Sequence, residues 1–205
     1  MDGRGEGAGT DEPVARLLTG VLLAELGLLA VTGIFLVFFY RPTAAAAWDD
    51  LYALDTSNSF GLAVRTLHRL LSWLTLLTTA SLGVALVAGR PREPGRWALG
   101  PTLMVATVSA TFTGFLLPWD QLALWAVTPG SNMMGFMPVI YGDQVRFVLI
   151  NGAEVSQEEI RRAFYVHIAI GIATLGAVVW LARELGRRRR PTPVTDSSPS
   201  PPLGG

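Results

Sequence analysis

The chain has no cysteine, no lysine and only two histidines in 205 residues. Without cysteine there are no disulfides, thiolate metal ligands, cysteine-ligated iron–sulfur clusters or covalently attached c-type haem. All sixteen basic residues are arginine, and sixteen acids balance them to a net charge of zero. A neutral chain lacks the basic face that nucleic-acid binding needs, so no nucleic-acid partner is expected. Charge is scarce, at 16% of residues, whereas 50% are hydrophobic and the mean hydropathy is +0.41. That balance is high for a soluble domain and turns attention to long apolar runs.

Four such runs are present, over residues 17–40, 64–87, 97–117 and 160–184. At a rise of about 1.5 Å per residue each is long enough for a hydrocarbon core of about 30 Å, some with tilt to spare. Before them, residues 1–13 are Gly-rich and charged and lack the basic-then-apolar order of a signal peptide, so they read as a disordered cytoplasmic tail. After them, residues 187–205 are basic and then Pro/Ser-rich, with no means of building a core, and read as a second tail. A polar connection runs from Tyr40 to Ser59. Residues 119–156 are too long for a plain connector, and Pro129, Gly130, Pro138, Gly142 and Gly152 interrupt them, so they read as short interfacial helices. Ser156-Gln-Glu-Glu159 is a capping box opening the fourth span. The fold expected is an all-α membrane protein, a four-helix transmembrane bundle over residues 14–186. The loop arginines Arg90, Arg92 and Arg96 and the cluster Arg187 to Arg190 share a side with both termini, and the positive-inside rule puts that side in the cytoplasm.

The two histidines then acquire a place. His68 enters the second span three residues after Arg65, and His167 enters the fourth five residues after Arg162. Both spans run inward from the outer face, so the imidazoles sit at matched depth in the outer half of the bilayer. Paired imidazoles on two helices are what a six-coordinate haem iron requires. Arginines at the watery end are what haem propionates require, because a guanidinium meets a carboxylate with parallel hydrogen bonds. The alternative is that both are membrane-interface histidines. Glu25, an acid inside the first span, must be protonated, paired or wet, and fits a proton or quinone role or a packing role equally.

Several segments, in order, carry a resemblance. Thr113-Gly-Phe-Leu-Leu-Pro-Trp-Asp-Gln121 resembles the Gly-Tyr-x-Leu-Pro-Trp-Gly-Gln motif of the cytochrome b family of Rieske–cytochrome b complexes. Phe39-Tyr-Arg-Pro-Thr43 and Arg65-Thr-Leu-His-Arg69 resemble that family's segments around its first extramembrane loop. Met137-Pro-Val-Ile-Tyr-Gly142 and the stretch Arg162 to His167 resemble its interfacial segment and fourth helix. The likeness implies the N-terminal four-helix haem domain, with His68 and His167 as axial ligands of the outer haem b, Gly33 and Gly114 giving that haem room, and Arg65 and Arg162 at its propionates.

The chain also departs from the family pattern. The family carries a second histidine about fourteen residues further along each of these spans and binds a second, inner haem; here those positions are Leu82 and Leu181. Gly100 and Gly20 match glycines beside the inner haem, and their space is open to helix packing or to filling by Leu, Trp or lipid. Asp120 stands where most of the family has glycine, and fits either a quinol-pocket role or a helix cap. The family's Pro-Glu-Trp-Tyr loop lies in its C-terminal half and has no counterpart here. Tyr52, Trp119, Trp125, Met133 and Met134 could line a quinone-facing surface or serve as interfacial anchors. The expectation is a subunit with one noncovalent bis-His haem b and not an enzyme alone. It would pass electrons between quinol or quinone and a redox partner in a bacterial or archaeal cell membrane. The implied partners are other subunits of an oxidoreductase complex, a Rieske-type protein, a chain carrying the C-terminal half of cytochrome b, or both. The alternative function is a non-catalytic membrane anchor or assembly subunit.

Overall fold

The computed structural model describes residues 11–89, 94–135 and 157–187. All elements among them are helical: α1 (Asp11–Val37), α2 (Ala47–Ser57), α3 (Ser59–Gly89), α4 (Pro94–Leu116), α5 (Gln121–Gly135) and α6 (Gln157–Arg187). Four helices are long and apolar enough to cross a membrane, over Pro13–Val37, Ser59–Val87, Ala98–Leu116 and Glu158–Arg187. Large apolar side chains such as Val31, Ile34, Leu77, Val84, Val105 and Ile172 lie on the outside of the bundle, where a soluble protein would carry charge. The protein is an all-α, multi-pass membrane protein.

α1 packs on α3, α3 on α4, α4 on α6, and α6 back on α1. The four spans therefore close into a ring in which α3 and α6, the histidine-bearing pair, stand diagonally across the axis. In the half away from the histidines, Leu22, Leu26, Leu82, Leu86, Leu103, Val178, Leu181 and Leu185 form one buried cluster with Ala15. Lipid tails are as apolar as leucine, so what holds this cluster is close van der Waals packing and not transfer out of water. Buried Thr19, Thr32, Thr107 and Thr174 donate their hydroxyls to carbonyls four residues back in the same helix, which hides their polarity from the interior.

Helix limits differ from the apolar runs in ways that local chemistry explains. α1 starts at Asp11, so residues 11–13, expected in the tail, are helical; Pro13 is tolerated because the first amides of a helix have no intrahelical partner. α1 ends at Val37 and not at residue 40, because the amides of Phe38 and Phe39 turn back to the carbonyls of Phe35 and Leu36. α3 begins at Ser59, earlier than residue 64, where the Asn58 side chain accepts the Phe60 amide at 2.9 Å. α4 begins at Pro94, using proline as a first helical residue, and α6 extends to Gln157 and Arg187.

The connection expected to be plain polar loop contains α2, whose buried Ala47, Leu51 and Leu54 cluster with Tyr40 and with Ile160 of α6, and whose Leu54 lies beside Gly61 of α3. α5 runs through Pro129 and Gly130, both expected to break it. Its first turns are anchored by buried Ala123 and Val127, packed with Leu116 and Ala163, and one missing amide does not undo that. Ser156 of the capping box, Met137 to Gly142, the loop arginines Arg90 and Arg92, and both tails, residues 1–10 and 188–205, lie outside the described residues.

Candidate functional site

His68 lies nine residues into α3 and His167 ten residues into α6, so the diagonal pair meets at one level. The ring centroids are 6.2 Å apart, with planes at 62°. Each Nδ1 is engaged by the neighbouring helix: His68 Nδ1 lies 2.8 Å from Thr32 Oγ1 on α1, and His167 Nδ1 lies 2.8 Å from the Ala110 carbonyl on α4. A carbonyl only accepts, so His167 carries its proton on Nδ1. The Thr32 hydroxyl proton is directed to the Leu28 and Leu29 carbonyls at 2.8 and 3.1 Å, so its oxygen is left to accept and His68 carries its proton on Nδ1 as well. Both Nε2 atoms are therefore free lone pairs.

The separation fits one metal held between the rings. An imidazole–metal bond of about 2.0 Å plus about 1.1 Å from nitrogen to ring centre, taken twice, puts two trans imidazoles about 6.2 Å apart. Among the described residues no three of His, Asp or Glu gather as metal ligands. A porphyrin would bring four nitrogens of its own to such a pair. The glycines complete the fit. A Cβ on Gly33 would stand 3.3 Å from His68 Cε1, and one on Gly114 would stand 2.8 Å from His167 Cε1 and 3.1 Å from its Nδ1. The structure thus brings together His68, His167, Gly33 and Gly114.

The arginines stand at the same end, each beside an acid. Arg65 pairs with Asp55, which α2 carries to it, and Arg162 lies 3.9 Å from Glu159. Neither Asp55 nor Thr32 was expected from sequence. Asp55 belongs to a helix hidden in a polar stretch, and Thr32 is one hydroxyl in an apolar run, so its register against His68 appears only in the fold. At the mouth of the bundle, buried Tyr40 donates its hydroxyl to the Leu117 carbonyl at 2.6 Å, tying the end of α1 to the end of α4. Burial, and after it the negative charge of Asp50, pushes the Tyr40 phenol above its ordinary range. The Arg41 guanidinium, hydrogen-bonded to Asp50, holds that carboxyl below its ordinary range.

The other singled-out residues have definite places. Asp120 Oδ1 accepts the Ala123 amide at 2.8 Å and caps α5, next to Trp119, which sits at a left-handed φ of 49° in the turn out of α4. Tyr52 and Trp125 are exposed and do not meet the histidines; Tyr52 stacks on Trp48 at 6.5 Å. Glu25 Oε1 accepts from Thr78 Oγ1 at 3.0 Å across α1 and α3, and its Oε2 has no partner among the described residues. Met133 and Met134 are in α5, and their side chains lie outside the described residues.

The opposite half offers no comparable opening. Leu82 is 0% exposed and Leu181 is 2% exposed, both inside the leucine cluster. A Cβ on Gly100 would fall 3.1 Å from the Gly83 Cα, so this glycine serves a close crossing of α3 and α4, and Gly20 has nothing within 4 Å of a built Cβ. The space left open by sequence is filled by aliphatic side chains.

Comparison with known proteins shows the family. Residues 15–182 match the family described as Cytochrome b/b6/petB. The chain is 32% identical over 170 residues to cytochrome b6 of Heliobacterium mobile, covering 79% of this chain and 78% of the relative. It is 34% identical over 180 residues to cytochrome b6 of Synechococcus sp. (strain RCC307), covering 84% and 80%. Among solved structures it superposes on a chain of a hyperthermophilic respiratory Complex III with a TM-score of 0.67 at 22% identity, which speaks for the fold. That match covers 91% of this chain and 52% of the other, so the chain spans about half the length of that relative.

Proposed function

Because the chain belongs to the cytochrome b/b6 family of membrane haem proteins of electron transport, we propose that it is an electron-transfer subunit. It would hold one b haem between His68 and His167 and exchange electrons between quinol or quinone and a redox partner. The observation that carries this reading is the facing pair of imidazoles, 6.2 Å apart, with both Nδ1 atoms engaged elsewhere. Bound there, a haem would supply a one-electron ferric/ferrous couple.

The residues divide the work. His68 and His167 would hold the haem iron, while Thr32 and the Ala110 carbonyl engage the Nδ1 atoms and leave Nε2 for it. Gly33 and Gly114 keep methyl groups out of the ring space. Arg65 and Arg162 would pair with the haem propionates, and Asp55 and Glu159 stand beside them. Leu82 and Leu181 occupy the level where a second iron would be held, so the electron route is one-sided. On the positive-inside rule the histidine end faces out and both termini face the cytoplasm. The partners we propose are the other subunits of a quinol oxidoreductase complex: a Rieske-type protein, and a chain carrying the C-terminal half of cytochrome b.

The test is a pyridine haemochrome assay on purified protein, with one haem per chain expected and the low-spin spectrum abolished in His68→Ala or His167→Ala. Two haems per chain would overturn the reading. Reduction of the b spectrum by quinol separates an electron-transfer subunit from a non-catalytic anchor.

A further inference from the structure

The two axial histidines are held by different kinds of atom. His167 is held by a backbone carbonyl, which no substitution removes, whereas His68 meets a side-chain hydroxyl at 2.8 Å, with the Leu29 carbonyl as a second, backbone acceptor beside it. We propose that Thr32 is a positioning residue that sets the tautomer, ring orientation and donor strength of His68, and through them the reduction potential of the haem. This rests on the haem reading above.

The geometry leaves Thr32 little freedom. Its residue is buried, and its one hydroxyl proton is shared between the Leu28 and Leu29 carbonyls at 2.8 and 3.1 Å. That fixes χ1 and aims the oxygen lone pair across the α1–α3 seam at His68 Nδ1, 2.8 Å away. A hydroxyl that donates strongly is a better acceptor, because chained hydrogen bonds polarise one another. The next residue, Gly33, opens the space at His68 Cε1, where a Cβ would stand at 3.3 Å. Adjacent residues of α1 thus hold one corner of the ring and make room for the next.

The consequence is electronic as well as steric. An acceptor on Nδ1–H raises the basicity of the ligating nitrogen. A more basic ligand favours ferric over ferrous iron and lowers the midpoint potential. Without the acceptor, the ferric/ferrous preference should fall by roughly tenfold, the low end of what such outer partners contribute, or about 59 mV upward for one electron.

The experiment is an anaerobic spectroelectrochemical titration of the full-length protein as wild type, Thr32→Val and Thr32→Ser. Valine keeps the shape and removes the oxygen; serine keeps the oxygen. The expected result is a raised midpoint in Thr32→Val and the wild-type midpoint in Thr32→Ser. If Thr32→Val fails to retain haem, Thr32→Ala decides. Loss of haem from both the equal-sized and the smaller side chain, with retention in serine, supports the proposal, because only the oxygen is common to the forms that bind. A b-type spectrum with an unchanged midpoint in Thr32→Val would overturn it, the Leu29 carbonyl then sufficing as acceptor. Loss of haem from Thr32→Ser would overturn it too, the methyl group being what matters. Absence of a b-type spectrum in wild type would instead refute the haem reading itself.

Discussion

Replacing each of the two ring-facing glycines by alanine should give unequal results, and the structure ranks them. At Gly114 the new methyl would lie 2.8 Å from His167 Cε1 and 3.1 Å from Nδ1. Carbon–carbon contact relaxes near 3.5 Å, so the ring must recede by about 0.7 Å. That stretches the 2.8 Å bond to the Ala110 carbonyl to the edge of hydrogen bonding and exceeds the tolerance of about 0.2 Å in a metal–ligand distance. At Gly33 the contact is 3.3 Å, and about 0.2 Å of movement removes it. Overpacking costs about 1–3 kcal/mol, and the ring displacement it forces bears on haem binding. Little loss is expected for Gly33→Ala, and about 10-fold or more weaker haem retention for Gly114→Ala. Haem titration into the apo-protein, followed at the Soret band, measures both. The reasoning fails if Gly114→Ala binds haem as tightly as wild type, or if Gly33→Ala is the more damaging change.

The remaining expectations concern charge and the mouth of the bundle. Arg65→Gln and Arg162→Gln should each lower the haem midpoint, on the order of tens of millivolts after solvent screening, because reduction adds an electron beside a lost cation. Asp55→Asn should raise it by freeing Arg65 from its acid, and redox titrations that leave all three unchanged would reduce the arginines to interface charges. Tyr40→Phe removes the buried bond to the Leu117 carbonyl and should cost about 1–3 kcal/mol in thermal unfolding, because that carbonyl loses its donor. The phenol is raised in the folded state, so its contribution is complete below the ordinary phenol range near pH 10 and is lost as pH rises beyond it. A wild-type decline at high pH that persists undiminished in Tyr40→Phe would rule Tyr40 out as its source.

The spans were legible because a membrane demands about 20 apolar residues, and no other short pattern imitates them. The histidines were legible because ionisable groups are rare inside spans and these stand at matched depth. What escaped has a common cause in short range and weak signal. α2 has eleven residues and five of its side chains are Asp, Thr or Ser, so its buried face of Ala47, Leu51 and Leu54 yields little contrast. Pro129 and Gly130 carry strong local preferences that the packing of Ala123 and Val127 overrides. Thr32 gives no periodic or compositional cue, since its role depends on the rotation of α1 against α3. Asp120 was open between a pocket role and a cap, and the Ala123 amide at 2.8 Å accounts for it as a cap.

The two halves of the bundle are built on different principles. In the half away from the histidines, aliphatic side chains interdigitate, Gly83 and Gly100 let α3 and α4 touch, and the helices hold each other directly. In the histidine half the rings of the diagonal helices lie 6.2 Å apart, with Gly33 and Gly114 beside them. On the proposed function a cofactor would pack between the rings. On that reading, the leucine half supplies a rigid base that sets the spacing of α3 and α6 before any ligand arrives. In a two-haem bundle both halves would depend on cofactors for their packing. Here Leu82 and Leu181 lie in an aliphatic cluster, and on the proposed function redox chemistry would be confined to the other end. The same cluster puts a low-dielectric layer on the order of 15 Å thick, a hydrocarbon half-core, between the histidines and the opposite surface. On the proposed function, electrons that enter at the histidine end would leave from that end, or through a cofactor carried by another subunit.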